Sequence, residues 1–147
     1  MNPETVPCAA FRWPVRVYYE DTDAGGVVYH ATYLNFLERA RTEWLRALGF
    51  EQDRLREEQG LLFVARRMGI EFRSAARFND RLTVTASLSG RGRASFDFAQ
   101  QVLRDDDGGV CVRASINIAC VDAASLRPVR IPEAILLAVD SEIVDGL

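Results

Sequence analysis

Tyr18-Tyr19-Glu20-Asp21-Thr22-Asp23-Ala24-Gly25-Gly26-Val27-Val28-Tyr29-His30 sets an acidic turn, a glycine pair and a short apolar run between two segments of different period. Upstream, Trp13, Val15, Val17 and Tyr19 alternate with Arg16, Tyr18 and Glu20, the period of a half-buried strand, which puts Tyr19 on the apolar side. Pro14 lies near the strand's start, where a missing N–H is tolerated. Downstream, Tyr33, Phe36, Leu37, Ala40, Trp44, Ala47 and Leu48 recur at three- and four-residue steps, while Asn35, Glu38, Arg39, Thr42 and Arg46 fall elsewhere. That spacing predicts an amphipathic helix of roughly 27 Å, long enough to cross a small sheet. Gly49 supplies its stop, and Arg39 and Glu43, one turn apart, are placed to pair.

Beyond the helix, Glu51 to Gly60 is charged, helix-prone and anchored only by Leu55, a surface turn of helix. Four more alternating runs follow: Leu62-Val64-Met68-Ile70-Phe72, Leu82-Val84-Ala86-Leu88, Phe96-Phe98-Val102 and Val110-Val112-Ala114-Ile116-Ile118-Cys120. Asn79-Asp80, Gly90-Arg91-Gly92 and Asp105-Asp106-Asp107-Gly108-Gly109 punctuate them, so consecutive antiparallel strands are expected. Pro132 to Val139 reads as a short terminal helix with proline in its first turn. One long helix and five strands, with a run of strands after the helix, give an α+β class with an antiparallel sheet. Residues 1–10 lack periodicity and hold two prolines, which suggests a flexible N-terminal arm ahead of a single domain over 11–147.

At 147 residues and 48% hydrophobic, the chain suits one domain with a sizeable core. A formal net charge of −3 gives no general attraction to nucleic acid or an anionic membrane. All 18 basic residues are arginine, so any anion site here is a guanidinium site. The three cysteines, Cys8, Cys111 and Cys120, have no C-x-x-C spacing and indicate neither zinc nor a dithiol motif. On one strand Cys111 and Cys120 would lie about 30 Å apart, beyond bridging. An odd count with no signal peptide points to a reducing cytosol. The apolar run Ala134 to Val139 falls far short of the roughly 20 residues a membrane span needs.

The opening stretch concentrates chemical equipment. A glycine pair lets backbone approach a ligand without a Cβ in the way. A helix N-terminus offers unpaired N–H groups and a partial positive charge, where an oxyanion or phosphate is stabilised. Asp21 and Asp23 serve equally as turn formers or as acids. Asp21-Thr22-Asp23-Ala24-Gly25-Gly26 begins like a calcium loop, but Gly25 stands at position five and Thr32 at position twelve, where a bidentate glutamate is required. The glycines do not form G-x-G-x-x-G, and one histidine without G-x-S-x-G leaves no serine triad.

Glu20 to His30, continued through Tyr33-Leu34-Asn35-Phe36-Leu37-Glu38-Arg39-Ala40-Arg41, resembles the signature of hotdog-fold acyl-CoA thioesterases of the 4-hydroxybenzoyl-CoA thioesterase type, in the branch associated with the bacterial Tol–Pal envelope system. The family's strand order accounts for roughly Phe11 to Asp122. The resemblance implies a five-stranded antiparallel sheet wrapped around a long central helix, with two subunits joining sheets edge to edge and sharing active sites. It maps the catalytic carboxylate onto Asp23, implicates His30 and Tyr19, sets Gly25, Gly26 and Val27 against the substrate, and makes Arg91 and Arg93 the basic loop that meets CoA phosphates, with Arg77 and Arg81 as weaker candidates. Another branch uses a glutamate on the central helix; here Glu38 lies opposite the apolar stripe, a position that favours a solvated or ion-paired residue.

The implied reaction is hydrolysis of a short-chain acyl-CoA thioester, or the corresponding acyl carrier protein thioester, without metal or cofactor, by a homodimer or homotetramer. A hotdog dehydratase or isomerase on acyl thioesters, or a non-hydrolytic acyl-thioester scaffold, are the alternatives.

Overall fold

The alternating runs become strands in a computed structural model that describes residues 10–143. Strands β1 (Phe11–Arg16), β2 (Leu61–Phe72), β3 (Arg81–Arg91), β4 (Ser95–Arg104) and β5 (Val110–Asp122) form one sheet in the order β1-β3-β4-β5-β2, with every pairing antiparallel. The turn signals between the last three strands make them neighbours, so β1 and β2 are left as the edges. Helix α1 (Thr32–Ala47) packs against β1, β3 and β4.

The expected stripe faces the sheet: Tyr33, Phe36, Leu37, Ala40 and Trp44 are buried. Leu45 is buried too, whereas Ala47 is exposed, because the contact surface rotates around the helix towards its C-terminal end. Opposite lie Leu82, Val84, Ala86, Leu88, Phe96, Phe98 and Val102. The Trp44 ring stands edge-on to Phe96 and Phe98, with centroids at 6.0 and 5.1 Å. Each large side chain so buried contributes about 1.5–3 kcal/mol. Arg39 does not pair with Glu43. Its guanidinium lies 5.7 Å from the Phe36 ring centroid, and Glu43 pairs with Arg46, which also meets Glu51 at 3.0 Å.

Helix α2 (Gln52–Gln59) buries only Leu55 and ends on Gly60 at φ +66°. Helix α3 (Glu133–Asp140) starts one residue after Pro132, which caps it, and buries Ile135, Leu136 and Val139. Cys111 and Cys120 are buried free thiols on β5. Residues 1–9, hence most of the expected N-terminal arm and Cys8, lie outside the described residues.

Candidate active site

Strand β1 stops at Arg16, short of the alternation that runs on to Tyr19. Val17 is still pinned, its N–H donating to Asp80 O at 2.9 Å, and then the backbone turns. The Tyr18 N–H donates to Asp21 Oδ2 at 2.8 Å and the Thr22 hydroxyl to Tyr19 O at 2.8 Å, which winds Tyr19–Asp21 into a 3-10 turn. Tyr19 therefore does not face the core: it is 80% exposed, with its ring 5.3 Å from that of Phe78. Asp21 is committed to local backbone.

The next residues form a narrow loop. Thr22 and Val28 bridge antiparallel, and the Asp23 N–H donates to Val27 O at 3.0 Å. The Gly26 N–H donates to Asp23 O at 3.0 Å, with Gly26 at φ +79°. On the exposed Asp23 carboxylate, Oδ1 accepts the Gly25 N–H at 2.8 Å. A Cβ on Gly25 would stand 3.1 Å from that oxygen, so glycine here leaves room for the acid's present position.

Ala76 fastens this loop to the helix. Its carbonyl accepts the Val28 N–H at 2.8 Å, and its own N–H donates to the Tyr33 hydroxyl oxygen at 3.0 Å. Burial pushes the Tyr33 phenol above its ordinary value, with the Ala76 hydrogen bond pulling the other way. Val27 meanwhile bridges Arg77.

The loop runs straight into an uncapped helix. Thr32 N–H reaches Tyr29 O at 2.8 Å and Leu34 N–H reaches Ala31 O at 3.1 Å, but Ala31 at the N-cap has no side chain that can accept. Among the described residues, the N–H groups of His30, Ala31 and Tyr33 meet no acceptor. His30 precedes the first helical residue and is exposed, its ring 4.4 Å from Tyr29 and edge-on to Phe72 at 6.4 Å. The site thus offers an open carboxylate, free amide donors, the positive end of a helix dipole and exposed aromatics on one short segment.

Tyr19, Asp23, Gly25, Gly26, Val27 and His30 stand together on this segment; Arg91 and Arg93 do not. Arg16 pairs with Arg81 at the start of β3, beside the loop, whereas Arg91 ends that strand, about 33 Å away at the usual strand rise. Arg91 is also engaged, bonding Asp140 at 2.8 and 2.9 Å, which raises the guanidinium and holds the acid below the usual carboxylate range. Arg93 is exposed on the following turn. Arg77 and Arg81, the weaker candidates, are the arginines adjacent to the loop. Sequence reasoning missed Phe72 and Phe78, the aromatic neighbours of His30 and Tyr19. Phe78 carried a usable signal, an aromatic between Arg77 and Asn79-Asp80 in an otherwise polar turn.

Among the described residues, no group of three or more His, Cys, Asp or Glu side chains could hold a metal ion, and no helix is long and apolar enough to cross a membrane.

Residues 17–139 match the model of the thioesterase-like superfamily. The acyl-CoA thioesterase YbgC of Haemophilus influenzae is 47% identical over 128 residues, 87% of this chain and 93% of that protein. The acyl-CoA thioester hydrolase YbgC of Escherichia coli is 43% identical over 126 residues, 86% of this chain and 92% of its own. Among solved structures, a Bartonella henselae protein described as a probable thioesterase superposes with a TM-score of 0.79 at 37% identity, covering 84% of this chain and 99% of that one. The chain therefore belongs to the thioesterase-like superfamily, among its hotdog-fold acyl-CoA thioesterases.

Proposed function

We propose that the chain hydrolyses short-chain acyl-CoA thioesters to the free acid and CoA, with Asp23 as the reacting carboxylate. One observation carries this reading: the Asp23 carboxylate, restrained through Oδ1 by the Gly25 N–H, is exposed on the loop that leads into the unpaired N–H groups at the start of α1. Asp23 either attacks the thioester carbonyl carbon, forming a mixed anhydride that water then opens, or removes a proton from a water that attacks in its place. Both routes put negative charge on the carbonyl oxygen, which the His30, Ala31 and Tyr33 amides are suited to receive; one such donor is worth about 2.7–4 kcal/mol. The carbon–sulfur bond then breaks with the electron pair on sulfur. A thiol of pKa about 8.5 leaves readily as thiolate, so a site without a strong general acid suffices.

The site is completed across two copies of the chain. Among the described residues β2 pairs only with β5, and Val64, Met68 and Phe72 are exposed along it in the single chain, which suits edge-to-edge pairing with a second β2. In such an assembly His30 and Phe72 lie near the seam. Arg91 and Arg93, remote from Asp23 of their own chain, serve CoA phosphates only across that seam, while Arg77 serves its own loop.

The test is thiol release from acetyl-, butyryl-, hexanoyl- and benzoyl-CoA, repeated on the acyl carrier protein esters. Free thiol without enoyl product is expected, fastest on the short aliphatic esters. Enoyl turnover without free thiol, or ester binding with no turnover, overturns the assignment.

A further inference from the structure

A cavity of about 200 Å³ opens between the far half of α1 and strands β2, β4 and β5. Arg41, on its wall, lies about 14 Å along the helix axis from Thr32, so this is not the loop site. One wall is aromatic: Phe63 stacks on Phe96 at 5.5 Å, and Trp44 stands across Phe96 and Phe98; Glu38, Arg41, Thr42 and Gln52 supply the polar side.

Of the two charged residues on that side, Arg41 is the one drawn inward. The guanidinium of Arg41 is half-buried and, among the described residues, bonds only a neutral partner, Gln100 Oε1 at 3.0 Å. That partner is built in: Gln100 is 2% exposed, and its amide nitrogen donates to Leu37 O and Thr85 O, both at 3.1 Å, which turns its oxygen towards Arg41. Arginine carries five N–H donors, and among the described residues one is used. The acid one turn away, Glu38, is occupied by the Thr42 hydroxyl at 3.0 Å and is exposed at the mouth. Burial draws Arg41 below its ordinary value, against the field of Glu38. A partly desolvated cation with no bonded counter-ion is costly, and a carboxylate that presents two oxygens to the guanidinium fork relieves that cost.

We infer that this cavity is a binding site for a small amphipathic monocarboxylate, its carboxylate on Arg41 and its hydrocarbon body among Trp44, Phe63 and Phe96. A cavity of about 150 Å³ suffices for benzene, so about 200 Å³ takes a body of about six carbons. Such a molecule belongs to the class that thioester hydrolysis releases. A feedback role rests on the function proposed above; binding itself does not.

The probe is hexanoate, followed by tryptophan fluorescence in the full chain carrying Trp13→Phe, so that Trp44 is the one indole left. Hexanoate quenches Trp44 saturably and hexan-1-ol binds at least tenfold more weakly. Arg41→Gln weakens hexanoate at least tenfold and leaves hexan-1-ol unchanged, while Glu38→Gln, by removing a repelling charge, tightens hexanoate severalfold. Equal affinity for acid and alcohol, no saturable quench, or a folded Arg41→Gln that binds hexanoate undiminished each overturns the inference. None of these readouts needs turnover, so a protein that binds hexanoate but hydrolyses nothing overturns the function and not the pocket.

Discussion

The C-terminal end of α1 closes on itself, and the N-terminal end does not. At the closed end Leu48 N–H reaches Trp44 O and Leu45 O at 3.3 and 3.1 Å, Gly49 N–H reaches Arg46 O at 2.9 Å, Phe50 N–H reaches Leu45 O at 3.1 Å, and Gly49 takes φ +101° to make this possible. At the open end Ala31 offers no side-chain acceptor, and among the described residues backbone donors stay free on the segment that follows the Asp23 loop. Both ends begin from the same problem, four orphan groups apiece. The C-terminal end pairs the carbonyls of Trp44, Leu45 and Arg46 within its own turn, while the N-terminal end pairs the N–H groups of Thr32 and Leu34 and leaves those of His30, Ala31 and Tyr33 without an acceptor among the described residues.

Asp23→Asn strikes the open end hardest. The amide oxygen still accepts the Gly25 N–H, so melting should move by less than about 0.5 kcal/mol equivalent while thiol release falls about 10³-fold. Turnover within a few-fold of the parent would remove Asp23 from the chemistry. Gly25→Ala tests position rather than identity. Its Cβ, 3.1 Å from Oδ1, asks the exposed carboxylate to give by a few tenths of an ångström, so kcat should fall by less than about tenfold with the melting curve unchanged.

Alkali probes the closed interior. Burial pushes the Cys120 thiol up to about 11 and raises Cys111 as well, the latter offset in part by Ser74 and Arg104. An unfolded thiol ionises near 8.5, so the folded chain holds protons that the unfolded chain has released. The stability Cys120 contributes is complete below about pH 8.5 and is lost as pH rises towards about 11, by at most about 1.4 kcal/mol per pH unit, and Cys111 acts in the same direction. Chemical denaturation across that range should show the slope, and Cys120→Ala should flatten it.

The contrast between the two ends was only half visible beforehand. Period alone located α1 and its Gly49 stop, and turn residues separated β3, β4 and β5, because both signals are local. Tyr19 was misplaced because the Tyr18 N–H donates to the Asp21 carboxylate where the strand ends early, and alternation carries no record of that competition. Sequence shows Arg91 and Arg93 as a basic turn but not which end of the sheet that turn occupies; the pairing of Arg16 with Arg81 puts it at the end remote from Asp23 of the same chain. Ala76, which joins loop to helix through backbone alone, has no side-chain signature at all. Val64, Met68 and Phe72 read as an ordinary buried face, yet on an edge strand of a single chain they stay exposed.

Gly49→Ala and Ala31→Asp set the two ends directly against each other. At Gly49 nothing lies within 4 Å of an added Cβ, so the whole cost is the left-handed backbone, about 1–2 kcal/mol, read as a lower melting temperature with kcat unchanged. Ala31→Asp should do the reverse with a smaller amplitude. A carboxylate in the first turn interacts with the helix dipole for about 0.3–1 kcal/mol, raising the melting temperature by about 1–4 °C. It also places a fixed negative charge where the thioester oxygen is to become negative, so kcat should drop about three- to fivefold on the same preparation. A variant that gains stability and keeps its rate would mean that the free amides of His30, Ala31 and Tyr33 are unfinished structure and not an oxyanion site; a variant that loses both would mean the helix start is already satisfied by something the acid displaces.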